Sequence, residues 1–172
     1  CYLIQAAGNY KFKAVIGNTI GTAGNVKKTE VLWESFGTDV MPNVGDLIKE
    51  VGYKNGYVYF TTADEFKNGN ASIAVRSSKD KILWSWHIWC SEEGWTDQVY
   101  PNNAGTMMDR NLGATSAIPS DLGALGLSYQ WGRKDPFGRP YDYRFSSNAD
   151  QLVYSALGAS IVFKYVGADS KE

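Results

Sequence analysis

The chain has 172 residues, a formal net charge of −1 and an aromatic content of 14%. That length holds one domain or two small ones and can bury a core. Near-zero charge removes the field that draws a protein to nucleic acid or an anionic membrane, and no apolar run approaches the roughly 20 residues that span a bilayer.

Frequent glycine (18 residues) together with aromatics suits a β-rich chain with many turns. The first residue is Cys1, so the chain is read as starting inside a longer precursor or at a processing point. A lipid-modified Cys1 would normally precede a flexible tether, whereas Cys1-Tyr2-Leu3-Ile4 enters a strand at once. Cys1 is therefore expected to be a small buried hydrophobe. Two cysteines, Cys1 and Cys90, do not make a disulfide scaffold.

Strands are predicted in quick succession. Residues 2–5 and 10–15 flank Ala-Ala-Gly-Asn and are expected to pair as a hairpin. A Gly/Thr/Asn loop follows over 17–25, then a strand around Trp33 over 30–35 and a loop carrying Pro42 and Gly45. Residues 47–53 and 57–62 are separated by Lys54-Asn55-Gly56, and Asn-Gly between alternating runs is the strongest short hairpin signal. Residues 71–76 alternate Ala71, Ile73 and Val75 inward before a turn at 77–80.

The stretch Ile82-Leu83-Trp84-Ser85-Trp86-His87-Ile88-Trp89-Cys90 holds three of six tryptophans and the sole histidine. Successive side chains of a strand point to opposite faces. Trp84, Trp86 and Ile88 therefore share one face, and Leu83, Ser85, His87 and Trp89 the other. Both faces are apolar enough to be covered, so a central strand between two layers is expected, with Trp84 and Trp86 buried. About seven strands over residues 1–90 describe a β-sandwich.

After Cys90 the texture changes to a polar loop over 91–105 with Trp95, Tyr100, Asn102 and Asn103. A short apolar segment over 106–112 ends in Asp109-Arg110-Asn111, and Ser120-Asp121 is placed to cap a short helix through Leu122, Leu125 and Leu127. Gly123 and Gly126 weaken that helix. Residues 160–166 offer one more strand. A boundary falls near residue 91, giving units 1–90 and 91–172, although the Trp-rich strand can serve both.

Four motifs carry a family resemblance: Tyr10-Lys11-Phe12 with Gly17-Asn18; residues 82–89; Ala104-Gly105-Thr106-Met107-Met108-Asp109-Arg110-Asn111-Leu112-Gly113-Ala114-Thr115; and Gly126-Leu127-Ser128-Tyr129-Gln130-Trp131-Gly132-Arg133-Lys134-Asp135-Pro136-Phe137. Together they resemble surface lipoproteins and fimbria-associated proteins of Bacteroides-type gut bacteria. The later part is similar to the Fibrobacter succinogenes major paralogous domain, a C-type-lectin-like module. The resemblance implies a mainly β chain, an N-terminal β-sandwich followed by part of a C-type-lectin-like α+β module. It also implies an extracellular or outer-cell-surface protein with a binding or structural role and no known catalysis. The family's downstream Tyr-Asp-Pro-Cys-Pro and Gly-Trp-Arg-Val-Pro motifs do not occur before Glu172, so the second module is expected to be partial. Its missing sheet would come from its own precursor or from a fibre neighbour.

The chemical candidates follow. His87 and Cys90 are an odd offset apart and point to opposite faces, so they form no Cys/His pair. Ser85 and His87 share a face, but no carboxylate lies nearby in sequence to orient the imidazole. One histidine and two distant cysteines give no zinc spacing. No cofactor is expected, although Asp97, Asn102, Asn103, Asp109 and Asp135 are loop oxygen donors of the kind calcium takes. A glycosidase would need two carboxyls at a set separation, here Glu92 or Glu93 with Asp97 or Asp109, and no spacing fixes one.

Arg110 with Asp135, or Arg133 with Asp109, are expected as buried struts. Trp84, Trp86, Trp89, Asp109, Arg110 and Asp135 are thus assigned to architecture. Trp95, Tyr100 or Trp131 would stack on a sugar ring, while Asn102, Asn103 or Arg133 bond its hydroxyls. The leading expectation is an adhesin or lectin-like module binding a glycan or a host or bacterial surface protein. The alternatives are a structural or tip subunit of a surface fibre and, third, a glycoside hydrolase.

Overall fold

The structure is a computed structural model that describes residues 1–17, 19–129, 131 and 134–136. The first 90 residues supply seven strands: β1 (Tyr2–Ile4), β2 (Asn9–Lys13), β3 (Lys28–Ser35), β4 (Ile48–Lys54), β5 (Tyr57–Thr62), β6 (Gly69–Arg76) and β7 (Ile82–Cys90). They build a four-stranded sheet in the order β1-β7-β6-β3 and a three-stranded sheet in the order β2-β5-β4. The inner faces meet in one core that includes Ile4, Phe12, Leu47, Val58, Phe60, Ile73, Val75, Trp86 and Ile88. The chain is mainly β, as its composition and alternation predict.

The Asn-Gly signal holds. β4 and β5 pair antiparallel around Asn55 and Gly56, at φ 51° and 81°. Two consecutive positive φ values match the right-handed twist of the strands they join.

The hairpin expected between residues 2–5 and 10–15 does not form. β1 pairs parallel with β7, Tyr2 opposite Ile88 and Ile4 opposite Cys90, while β2 joins the other sheet against β5. Residues 5–8 therefore cross from one layer to the other. The gain is burial: Ile4 and Phe12 meet in the shared core, and the Tyr2 and Phe12 rings stack at 4.5 Å across it.

β7 is interior in its sheet and covered on both faces. Its even-numbered residues Trp86, Ile88 and Cys90 enter the core between the sheets. Trp86 lies edge-on to Phe12 at 5.1 Å and donates its indole N–H to the Val15 carbonyl at 3.2 Å. Trp84 is less enclosed than expected. It is half-buried, at the strand's opening, with the Lys134 ammonium 4.7 Å from its ring centre. Cys90 is buried and Cys1 exposed, both as free thiols, which corrects the expectation that Cys1 is buried.

The outer face of the larger sheet carries Leu32, Trp33, Ala74 and Leu127 as a second cluster. A register shift between Val31 and Trp33 marks a bulge in β3. A bulge inserts an extra residue and re-aims side chains, which lets Leu32 and Trp33 both pack outward while Val31 packs inward.

Beyond Cys90 the described residues form an antiparallel pair, β8 (Asp97–Val99) and β9 (Thr106–Met108), and a 3-10 turn at Leu122–Leu125. Asp121 caps that turn by accepting from the Gly123 N–H at 3.1 Å. It stays short because Gly123 is wedged so tightly that a Cβ would sit 2.6 Å from the Thr115 hydroxyl, and the chain leaves at Gly126 with φ 68°. The strand expected over 160–166 lies outside the described residues. Among those residues, no helix is long and apolar enough to cross a membrane.

Candidate functional site

The segment after β7 fixes one tryptophan against another. Ser91 takes a backbone bond to the Ile4 carbonyl at 2.9 Å and its own carbonyl receives the Gly94 N–H at 3.1 Å. The Glu92 N–H is held by the Asn68 side chain at 2.8 Å. This turn lays Trp95 on Trp89, ring centres 5.8 Å apart and planes within 14°. Trp89 is buried, and its indole N–H is bound to the Ala114 carbonyl at 3.0 Å. Trp95 thus has one face on a rigid support and remains 42% exposed.

All six residues of β8 and β9 are exposed, Val99 and Met107 among them, with Tyr100 open to solvent beside them. Asn102 and Asn103 form the tip in left-handed conformation, φ 61° and 57°, closed by the Tyr100 N–H on the Gly105 carbonyl at 3.0 Å. Short Asn side chains tolerate that region better than most, so both serve the turn. Trp95 stands at the base of the hairpin and the Asn pair at its far end, with the whole of β8 between them. The structure brings Tyr100 to the Asn pair and leaves Trp95 apart. Trp131 is exposed, and Arg133 lies outside the described residues.

The expected strut between Arg110 and Asp135 is not made. Arg110 instead grips its neighbour Asp109 bidentately, Nε to Oδ1 at 2.8 Å and Nη2 to Oδ2 at 3.0 Å. The fork matches a carboxylate two bonds at a time, and the adjacent residue is reachable once the turn after β9 folds back through the Asp109 N–H to the Thr96 carbonyl at 3.0 Å. The hydrogen bonds from Arg110 hold the Asp109 carboxyl below its ordinary range. That is the opposite of what a glycosidase acid requires.

Asp135 goes where sequence reasoning placed no carboxylate. It accepts the Ser85 hydroxyl at 2.8 and 2.9 Å and the Lys134 ammonium. Lys134 also donates to the Ser85 carbonyl at 2.9 Å and hydroxyl at 2.7 Å. These groups, with Trp84, Trp86, His87, Tyr2 and Cys1, line a cavity of about 230 Å³ at the edge of β7. The contact spans 50 residues of sequence, and the Lys134-Asp135 pair gave no sign of its partner.

The assembly resembles a hydrolytic centre in composition but not in wiring. The Ser85 hydroxyl is committed to a carboxylate rather than to an imidazole, and the Lys134 ammonium is taken up by Ser85 and Asp135. His87 is 7% exposed, and burial pushes its pKa down to about 3, so it is neutral at physiological pH. Among the described residues no group of three or more His, Cys, Asp or Glu side chains is placed to hold a metal ion. A second, more open hollow of about 440 Å³ lies between Phe36, Lys67, Asn68, Thr115 and Asp121. There the Lys67 ammonium sits 5.7 Å from the Phe36 ring centre, so that ring is already occupied.

Compared with known proteins, the chain matches no family model, no curated protein and no solved structure.

Proposed function

We propose that the chain is a non-catalytic, cell-surface binding module of adhesin or lectin-like type, with the hairpin after β7 as its recognition element. The observation that carries this is the Trp95 ring, stacked on buried Trp89 and open to solvent on its remaining surface. An indole fixed in orientation loses little freedom on contact and offers a flat apolar surface to the C–H face of a sugar ring. Tyr100 and the Asn102–Asn103 tip add hydroxyl and amide groups at the far end of the same hairpin. The ligand would therefore contact the hairpin along its length, as an extended glycan does and a single monosaccharide does not.

A glycan-array screen of the purified chain tests this, with Trp95→Ala printed alongside. Binding of one glycan class by the parent and its loss in the variant supports the reading. A blank array counts against it.

The second reading, a subunit of a surface fibre, draws on one feature: β1 is a three-residue strand at the edge of its sheet, parallel to β7. A short terminal edge strand is the kind of element that neighbouring copies can share. Concentration-dependent growth in size-exclusion chromatography, abolished by deleting residues 1–5, would favour it over the lectin-like reading.

A further inference from the structure

The outer face of the smaller sheet carries an arrangement that the core does not call for. Cross-strand partners share a face, so the registers of β2, β5 and β4 set its rows: Asn9–Thr61–Glu50, Lys11–Tyr59–Gly52 and Lys13–Tyr57–Lys54. Phe12, Val58 and Phe60, on the opposite face, fill the core. Two tyrosines thus lie on the central strand with lysines on both flanking strands. Tyr59 is 38% exposed, and Lys11, Lys13 and Lys54 are open to solvent. The Lys11 ammonium sits 5.5 Å from the Tyr57 ring centre, which leaves Tyr59 as the open ring. Among the described residues these three lysines make no ion pair. Lys49, at the register shift in β4, is by contrast taken by Asp64 at 2.8 Å.

Gly52 is a second, independent observation. Its φ lies outside the left-handed region, and a Cβ there would meet nothing within 4 Å. Neither backbone nor packing requires glycine, yet glycine weakens a strand interior and often marks a place where a ligand comes close. Its missing side chain leaves an open flank beside Tyr59, its partner across the ladder. Lysines on edge strands keep a sheet from pairing with another copy, but that asks for neither Tyr59 on the central strand nor Gly52 beside it. Three lysines against the single carboxylate of Glu50 make the face complementary to an anion. A nucleic-acid strand carries a charge on every unit and is held by a groove of cations that follows it. Here the lysines surround two rings, Glu50 stands at one end, and the whole chain has a net charge of −1. A chain with sparser charges, whose rings offer C–H faces to a tyrosine, fits better.

We propose that this face binds an acidic polysaccharide, a chain bearing carboxylate or sulfate groups, with one sugar ring seated on Tyr59 over Gly52 and its charges on Lys11, Lys13 and Lys54. The face belongs to the other sheet from the one on which Trp95 rests, and it does not depend on Trp95 binding anything.

Biolayer interferometry of the full chain against immobilised polymers tests this. Polygalacturonate supplies carboxylates, dextran sulfate supplies sulfates, plain dextran has neither, and oligothymidylate is the nucleic-acid arm. The expected result is saturable binding to at least one acidic polysaccharide, weakened by added salt, with none to dextran. Which of the two binds identifies the charged group. Joint replacement of Lys11, Lys13 and Lys54 by Gln should weaken that binding at least about tenfold, whereas Trp95→Ala should bind as the parent does.

Gly52→Val separates a binding role from a structural one. Valine suits a strand and nothing obstructs it there, so the melting temperature should hold or rise while binding falls at least about tenfold. A lower melting temperature would give Gly52 a structural role and overturn the proposal. So would binding to neither acidic polysaccharide, equal binding to dextran, or tighter binding to oligothymidylate. Unchanged affinity in the lysine variant or in Gly52→Val, or a loss in Trp95→Ala, would place the contact elsewhere and overturn it too.

Discussion

His87 shows how a residue type with catalytic potential is turned to structure. Its imidazole is held between Asn70 and Trp33 and its pKa falls from 6.5 to about 3, chiefly through burial. The folded state then binds fewer protons than the unfolded state between these values. Stability is complete above pH 6.5 and is lost as pH falls toward 3. The shift corresponds to roughly 5 kcal/mol over that window. Urea titrations at a series of pH values should show it, and His87→Gln should flatten the slope. The comparison with the variant matters because Glu34 works the other way, its carboxyl raised by burial despite three backbone N–H bonds. Equal slopes in parent and variant would contradict the assignment.

Cys90 makes a parallel case. Burial pushes its thiol up to about 12, and the thiolate is the reactive form. A thiol reagent should label Cys1 in the native protein and reach Cys90 only on unfolding. Trp86 is 7% exposed and packed in the core, so Trp86→Ala should lower stability by about 3–5 kcal/mol in a denaturant titration. A loss under about 1 kcal/mol would mean that β7 does not carry the core.

At the scale of elements, what was legible depended on how local the determining physics is. The β4–β5 hairpin could be read because Asn55-Gly56 needs no distant partner. The division of β7 into two faces could be read because strand alternation is a local rule. The partner of β1 could not, since Tyr2–Ile4 has equal claims on any open edge and is placed by the stacking of Tyr2 on Phe12. The helix expected after Asp121 shrinks to a 3-10 turn for reasons set by neighbours of Gly123 that lie outside its own window.

One element-scale prediction rests on the segment that covers the outer face of β6 and β7. Gly113 has φ 79°, and a Cβ there would come within 2.7 Å of Leu127 and 2.9 Å of the Asn70 Oδ1. Gly113→Ala should cost about 1–3 kcal/mol through the left-handed backbone and the crowding. It should also perturb the His87 nitrogens through Asn70. An unchanged thermal midpoint would show that this segment is not seated as described.

For the molecule as a whole, the sandwich over residues 1–90 follows from alternation and turn chemistry. The docking of later residues does not, because Asp135 on Ser85 and Gly113 on Asn70 join positions 50 and 43 residues apart. The candidate site was half legible. Trp95 and Tyr100 could be picked as aromatics in a polar loop, but the stacking of Trp95 on Trp89 and its distance from Asn102 and Asn103 belong to the folded chain.

On the proposed reading, Trp95 is a supported contact surface for a glycan. The most direct test is calorimetric titration of the array-selected glycan into the parent and Trp95→Ala, with thermal melts of both. The expected result is saturable binding by the parent, a loss of at least about tenfold in the variant, as for removal of an aromatic anchor, and closely matching melting temperatures. Undiminished affinity in Trp95→Ala, or turnover of the glycan in place of simple binding, would contradict it.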